Sequence, residues 1–187
     1  MAIGDFPPGV DVVRRIWGWF LALGIVQLIL GMVLLGHLGL ATEASVLFFG
    51  FLLLISGGVQ TAQAALARRW SGFVLHIASG LLDVLIGVLI IARPAVGAIA
   101  LTLLMAVLFL VGGAMRVVMA IMIRFPNWGW AVASGLVTLL LGVFVLSEWP
   151  GVSDWFIGLY VAINFLIGGW TWVMLALAAR SLPTETP

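Results

Sequence analysis

The chain has 187 residues, of which 64% are hydrophobic and only 8% charged, and its mean hydropathy is +1.30. A soluble domain carries about 25% charged residues, so this composition indicates an integral membrane protein whose main partner is the lipid bilayer. The net charge of +1 gives no reason to expect a nucleic-acid partner, and the absence of cysteine excludes disulfides, thiolate metal sites and cysteine nucleophiles.

Six apolar spans follow a short N-terminal segment. Residues 1–15 are predicted to be a cytoplasmic segment and not a cleaved signal, because their first charges are acidic and an aromatic run leads directly into a full-length span. The spans are predicted at about 16–36, 44–67, 72–92, 96–123, 128–147 and 155–179, and each reaches the roughly 20 residues that cross a bilayer. Since strand-like alternation is absent, we predict an all-α protein of six transmembrane helices, with a disordered tail at 181–187.

Glycines recur along the chain with a period of about 55 residues. Odd-numbered spans carry two glycines seven residues apart, and even-numbered spans carry an adjacent pair. These positions are Gly24, Gly31, Gly57, Gly58, Gly80, Gly87, Gly112, Gly113, Gly135, Gly142, Gly168 and Gly169. We predict that they pack helices together, because glycine lets backbones approach closely in lipid. The period predicts one membrane domain, residues 16–180, with three parallel two-helix repeats at about 16–68, 69–124 and 125–180; a pseudo-threefold bundle is our hypothesis for their arrangement.

The arginines predict the orientation of these spans. The side that holds both termini carries six of them, whereas the other side carries only Arg93. The six are Arg14, Arg15, Arg68, Arg69, Arg124 and Arg180. Since loops rich in arginine stay in the cytoplasm, both termini are predicted to be cytoplasmic.

The three repeats share more than their glycines. Trp17 and Trp128 stand seven residues before the first glycine of their spans, and Pro94 and Pro150 close the third and fifth spans. The middle repeat has Phe73 in place of the tryptophan, and the first repeat lacks the span-end proline. This unit, which covers nearly the whole chain, resembles that of the HdeD-like acid-resistance membrane proteins. The resemblance implies a small bacterial inner-membrane protein linked to stress or acid tolerance, and it supplies no catalytic residues.

One face of the third span is polar. At 100° per residue, His76 and Asp83 fall on the same face as the two glycines of this span. An ionised carboxylate in the hydrocarbon core costs about 2.5–3.5 kcal/mol, so this face is predicted to point into the bundle. The corresponding positions of the other repeats hold Gln27 and Thr138, which makes every repeat polar at this level.

Arg116 in the fourth span is the predicted partner of Asp83. It follows Gly112 by four residues and so shares a face with that glycine. In a structural interpretation, Asp83 and Arg116 neutralise each other, or Asp83 carries a proton because removal from water favours the neutral acid; Arg116 can instead extend to the cytoplasmic surface. In a functional interpretation, His76, Asp83 and Arg116 line a polar cavity that senses or moves protons. The structural interpretation is favoured, because a proton relay usually needs more titratable groups.

Other chemistry is sparse. His37 and His76 lie in separate repeats without a third ligand, so we predict no metal site, and no phosphate loop or nucleophile motif suggests a cofactor or catalytic residues. We therefore expect a non-enzymatic inner-membrane protein, with the role in acid or envelope stress that the resemblance implies. The alternative is a small channel or transporter with a polar path near Asp83, and an intramembrane enzyme is the weakest hypothesis. The sequence leaves open whether the chain forms a homo-oligomer and which small molecule or ion, if any, it handles.

Overall fold

The computed structural model describes residues 17–66, 73–124 and 126–180, and within these ranges the regular structure is entirely helical. The α-helices are α1 (Trp17–Gly36), α2 (Leu38–Leu66), α3 (Phe73–Ala92), α4 (Pro94–Ile123), α5 (Trp128–Ser147) and α6 (Phe156–Arg180), with a 3-10 helix at Gly151–Asp154. All six α-helices are long and apolar enough to cross a membrane. The predicted all-α fold is confirmed, and the chain is a multi-pass membrane protein.

Several sequence predictions fall outside the described residues. They concern the N-terminal segment 1–15, the C-terminal tail 181–187, and the arginines Arg14, Arg15, Arg68 and Arg69. The single membrane domain over 16–180 and the orientation of the termini also stay predictions.

Two helices begin earlier than their apolar runs indicate. Helix α2 starts at Leu38, directly after His37, and α4 starts at Pro94, although the predicted spans start at 44 and 96. Proline fits the first turn of a helix because the N–H that it lacks has no partner there. The apolar run marks the part of a helix that lipid surrounds, whereas the helix itself continues into the more polar interface.

The described helices belong to two compact units. One contains α1 and His37 together with residues 159–180 of α6, and the other contains residues 38–158. In the second unit, α2 packs along α3 and α4 packs along α5, while the 3-10 helix lies against α4 and α2. In the first unit, α1 packs against α6.

Each packed pair crosses at a reciprocal glycine contact. A Cβ atom added to Gly113 would lie 2.8 Å from the backbone oxygen of Gly135, and one added to Gly135 would lie 3.0 Å from that of Gly113. The other two pairs repeat this contact with Gly57 on Gly80 and Gly24 on Gly169. Side chains at these positions would force the backbones apart, so glycine is what permits the close approach.

The packed pairs are out of phase with the sequence repeats. Helix α3 packs along α2 of the preceding repeat rather than along α4 of its own, and α5 packs along α4 in the same way. The pairing follows the glycines that meet, because small residues decide which helices approach closely in lipid. Adjacency within a repeat therefore does not identify the packing partner.

The connection between α5 and α6 is built into the second unit. Val152 and Phe156 join Ala106 and Val145 in a buried apolar cluster. The indole Nε1 of Trp149 donates a hydrogen bond to the backbone oxygen of Ile99 at 3.1 Å. These contacts hold the 3-10 helix against the N-terminal half of α4.

Candidate functional site

Asp83 lies at the crossing of α2 and α3. A Cβ atom added to Gly57 of α2 would stand 2.9 Å from the Cβ of Asp83, so the aspartate side chain leaves α3 directly beside that glycine. The residue is half-buried. Asp83 is therefore held at a helix–helix contact, as predicted from the glycines on its face.

Four further polar side chains surround this crossing. The hydroxyl of Thr61 donates to the backbone oxygen of Gly57 at 2.7 Å. The hydroxyl of Ser79 lies 3.1 Å from the backbone oxygen of His76 and 3.3 Å from Oε1 of Gln60, and it can donate to either. We call this group the α2–α3 polar cluster; it consists of Gln60, Thr61, His76, Ser79 and Asp83.

Arg116 does not join this cluster. Its side chain is exposed, and no ion pair connects it to Asp83 in the part of the chain that the structure describes. Arg116 lies apart because only one of the two adjacent glycines of α4 packs against another helix. Gly113 contacts α5, whereas a Cβ atom on Gly112 would meet nothing within 4 Å. Because Arg116 shares a face with Gly112, it lies on the open side of α4.

Of the predicted packing glycines, Gly58 and Gly112 are the two whose added Cβ atoms would meet nothing within 4 Å. The remaining ten lie against a neighbouring helix, and a Cβ atom on any of them would come within 3.0 Å of an atom there; they are Gly24, Gly31, Gly57, Gly80, Gly87, Gly113, Gly135, Gly142, Gly168 and Gly169. Glycine pairs therefore do not by themselves show which of their members packs.

The positions equivalent to Asp83 behave differently in the other pairs. Nε2 of Gln27 lies 2.7 Å from where a Cβ of Gly168 would be, so this side chain also reaches across a helix pair. The hydroxyl of Thr138 instead donates to the backbone oxygen of Ser134 on its own helix, at 2.8 Å. All three equivalent positions carry polar side chains, but only Asp83, in the α2–α3 pair, is ionisable.

Two members of the cluster, Thr61 and Ser79, have no place in the sequence prediction. Both are common residues in membrane helices, and their roles depend on the neighbouring helix. Thr61 follows Gly57 by one turn, so the glycine face of α2 contains the only signal that could have identified it. Ser79 adjoins Gly80, and its contact with Gln60 requires the register of α2 on α3.

A separate cavity lies where α2 and α4 begin. It has a volume of about 430 Å³, and its lining includes Thr42 and Glu43 of α2, Ala98 of α4 and Asp154 of the 3-10 helix. Oγ1 of Thr42 accepts a hydrogen bond from the backbone N–H of Gly158 at 2.9 Å. The wall therefore carries two carboxyl groups on a rigid frame.

Two hydroxyl groups near this cavity are fully buried. Oγ1 of Thr102 and Oγ of Ser153 have no hydrogen-bond partner within the described ranges. Thr102 stands one turn after Ala98 on α4, and Ser153 precedes Asp154. Nowhere in these ranges do three or more His, Asp or Glu side chains group so that they could hold a metal ion.

The α2–α3 polar cluster brings ionisable and hydrogen-bonding side chains together on one helix pair. It combines one carboxyl group, one imidazole and two hydroxyls with the amide of Gln60, and all of these lie on two helices that a glycine contact holds at a fixed distance. Hydrogen bonds of this kind between membrane helices contribute about 0.6–2 kcal/mol each. The cluster therefore places two ionisable side chains on the helix pair that the glycine contact joins.

A family model described as a short repeat of unknown function (DUF308) matches the chain twice, over residues 22–92 and 78–147. Each match contains a complete even-numbered helix and the complete odd-numbered helix that packs on it, which are α2 with α3 and α4 with α5. The two matches confirm the internal repeat. Searches of curated proteins and of solved structures found no match.

Proposed function

Since the chain belongs to the DUF308 family of short repeats of unknown function, we propose that it is a non-enzymatic membrane protein of the HdeD-like type that contributes to acid or envelope stress tolerance. Its proposed location is the bacterial inner membrane, with both termini in the cytoplasm. The observation that carries the proposal is the place of Asp83. Of the three equivalent polar positions, this one alone is ionisable, and it lies at a glycine crossing on the same helix face as His76.

The contacts of Asp83 suggest how acid would act on the protein. A proton bound by Asp83 removes a charge from the α2–α3 contact, and a proton bound by His76 adds one about two turns away. Both changes alter the electrostatic energy of the same helix pair, and a low-dielectric surrounding increases their effect. The α2–α3 polar cluster would thus change the stability of this pair when the adjacent compartment acidifies.

Survival after an acid challenge tests this function. In a strain that lacks the gene, the wild-type protein should restore survival, and the variant Asp83→Asn should restore less at an equal amount in the membrane. The matched control is Thr138→Ala, which changes the equivalent position of the α4–α5 pair and should restore survival fully. Equal survival of the gene-lacking strain and its parent, under acid and under envelope-damaging conditions, would refute the proposal.

The cavity of about 430 Å³ supports the alternative function, a small channel or transporter. Its carboxyl groups lie at the end where α2 begins, whereas Asp83 lies at the glycine crossing deeper in the pair. Proton flux into liposomes above the protein-free rate, lost in Asp83→Asn, would favour transport over the first proposal.

A further inference from the structure

The exposed flank of the α4–α5 pair carries two polar side chains at one level. Arg116 stands three residues after the glycine of α4 that packs on α5, and Ser134 stands one residue before the glycine of α5 that packs on α4. The same two positions of the α2–α3 pair hold Gln60 and Ser79, whose side-chain oxygens are 3.3 Å apart. Because both pairs cross at these glycines in the same way, Arg116 and Ser134 lie on neighbouring helices at the same depth.

This depth is inside the membrane span. Helix α5 begins at Trp128, and the glycine that faces α4 follows about two turns later, roughly 10 Å along the axis. Trp130 in the first turn is 83% exposed, as expected of an indole ring at the membrane–water interface. Arg116 follows the packed glycine of α4 by three residues toward this interface, so it leaves α4 about one turn below it, on a face that is open to the lipid.

A guanidinium group at this depth requires an anion or water, because lipid chains provide neither. The carboxyl groups of Glu43 and Asp154 lie at the opposite end of the second unit, where α2 and α4 begin. Asp83 lies against Gly57 in the other helix pair. The described part of this unit therefore offers Arg116 no carboxylate at its own level on the α4–α5 flank.

The surface around Arg116 is apolar and partly bare. On α4, Leu108 and Gly112 precede Arg116 at four-residue intervals; Leu108 is exposed, and Gly112 leaves the backbone uncovered. On α5, the face that starts at Trp130 continues to the exposed Val137. The flank thus presents basic and hydroxyl groups toward the interface and a hydrocarbon surface toward the membrane centre.

We propose that Arg116 and Ser134 form a binding site for the phosphate group of an anionic phospholipid. The planar guanidinium matches the two oxygens of a phosphate. The hydroxyl of Ser134, which without lipid donates to the backbone oxygen of Ala131, turns to donate to the phosphate instead. One acyl chain lies along Leu108 and Val137, and Trp130 borders the headgroup. A membrane lipid is chosen over soluble phosphate because the site lies below the interface and its walls are apolar.

Lipid retention by the full-length protein tests the site. The protein is reconstituted with equal amounts of dioleoylphosphatidylglycerol and dioleoylphosphatidylcholine, extracted into detergent, and its bound lipids are counted by native mass spectrometry. The wild type should retain the anionic lipid preferentially. Arg116→Gln, which gives α4 the residue that α2 has at this position, should reduce the preference about fivefold. Arg93→Gln, at the other end of α4, is the matched control and should leave it unchanged.

Three results would overturn the proposal. The first is an inserted Arg116→Gln protein with wild-type preference for the anionic lipid; if this variant fails to insert, an unchanged preference in Ser134→Ala has the same meaning. The second is that inorganic phosphate, added to the wild type in phosphatidylcholine alone, raises its unfolding temperature as much as the anionic lipid does. The ligand would then be a soluble anion. The third is a wild-type dimer without bound lipid that Arg116→Gln dissociates, which would assign Arg116 to a contact between copies.

Discussion

The α2–α3 and α4–α5 pairs cross in the same way and surround their crossings with different chemistry. In both, a glycine of each helix lies against the backbone oxygen of a glycine of the other. The α2–α3 pair places a carboxyl group, an imidazole and two hydroxyls beside this contact. The α4–α5 pair has Ser134 and Thr138 beside its crossing, each bonded to its own helix, and Arg116 on its open face. The comparison teaches that the glycines set the distance between two helices, whereas the flanking residues decide what the pair can bind or sense.

The largest expected effect comes from the glycine contacts themselves. A Cβ atom on Gly57 would lie 2.5 Å from the backbone oxygen of Gly80, and one on Gly113 would lie 2.7 Å from the backbone nitrogen of Leu139. Gly57→Ala and Gly113→Ala should therefore each lower the free energy of unfolding by about 1–3 kcal/mol, since the backbones must move apart. Unfolding in mixed detergent micelles measures the loss.

The neighbouring glycines provide the controls for this prediction. Gly58 and Gly112 have open space where a Cβ would be, and alanine favours a helix over glycine by about 1 kcal/mol. Gly58→Ala and Gly112→Ala should be neutral or stabilising. If the two adjacent glycines of one helix change the free energy of unfolding by the same amount, the assignment of the packed glycine is wrong.

Two buried threonines should respond in opposite directions. Oγ1 of Thr42 accepts the backbone N–H of Gly158, whereas Oγ1 of Thr102 has no partner within the described ranges. Thr42→Val leaves a buried donor unsatisfied and should cost about 1–3 kcal/mol. Thr102→Val removes a hydroxyl that makes no hydrogen bond and should be neutral or stabilising. Thermal unfolding of the two variants distinguishes them, and a costly Thr102→Val would indicate a hydrogen bond at that hydroxyl.

A smaller effect is expected from the hydrogen bond across the α2–α3 pair. Ser79→Ala removes the contact with Gln60 and should lower the free energy of unfolding by about 0.6 kcal/mol, a typical value for such bonds in membranes. Ser134→Ala changes the equivalent residue of the α4–α5 pair, whose hydroxyl donates to Ala131 on its own helix at 2.9 Å. In detergent it should change stability less than Ser79→Ala, and the reverse order would contradict the difference between the pairs.

The smallest expected quantity is the coupling between Asp83 and Arg116. The two residues lie on different helix pairs, so the effects of Asp83→Asn and Arg116→Gln on unfolding should add within about 0.5 kcal/mol. A double-mutant cycle measures this coupling directly. An interaction energy well above that limit would restore the pairing that the sequence suggests.

The partner of Asp83 shows where sequence reasoning ends. The face of α3 could be derived from the sequence, because helical periodicity places Asp83 with Gly80 and Gly87. The choice of Arg116 as its partner assumed that helices adjacent in one repeat pack together and that Gly112 marks the packed face of α4. In the structure α3 packs along α2, and the glycine that packs is Gly113. Both depend on which backbones come close, and no spacing along one helix contains that information.

The sequence by itself determined the class of the protein, its six helices and its internal repeat, because apolar length and glycine period are properties of a single chain segment. The tertiary structure decided the pairing of the helices, the members of the α2–α3 polar cluster and the open position of Arg116. These depend on the register between two helices, where a shift of one residue turns a side chain by 100° from the packed face toward the lipid. Gly112 and Gly113 differ by that one step: one contacts α5 and the other contacts nothing.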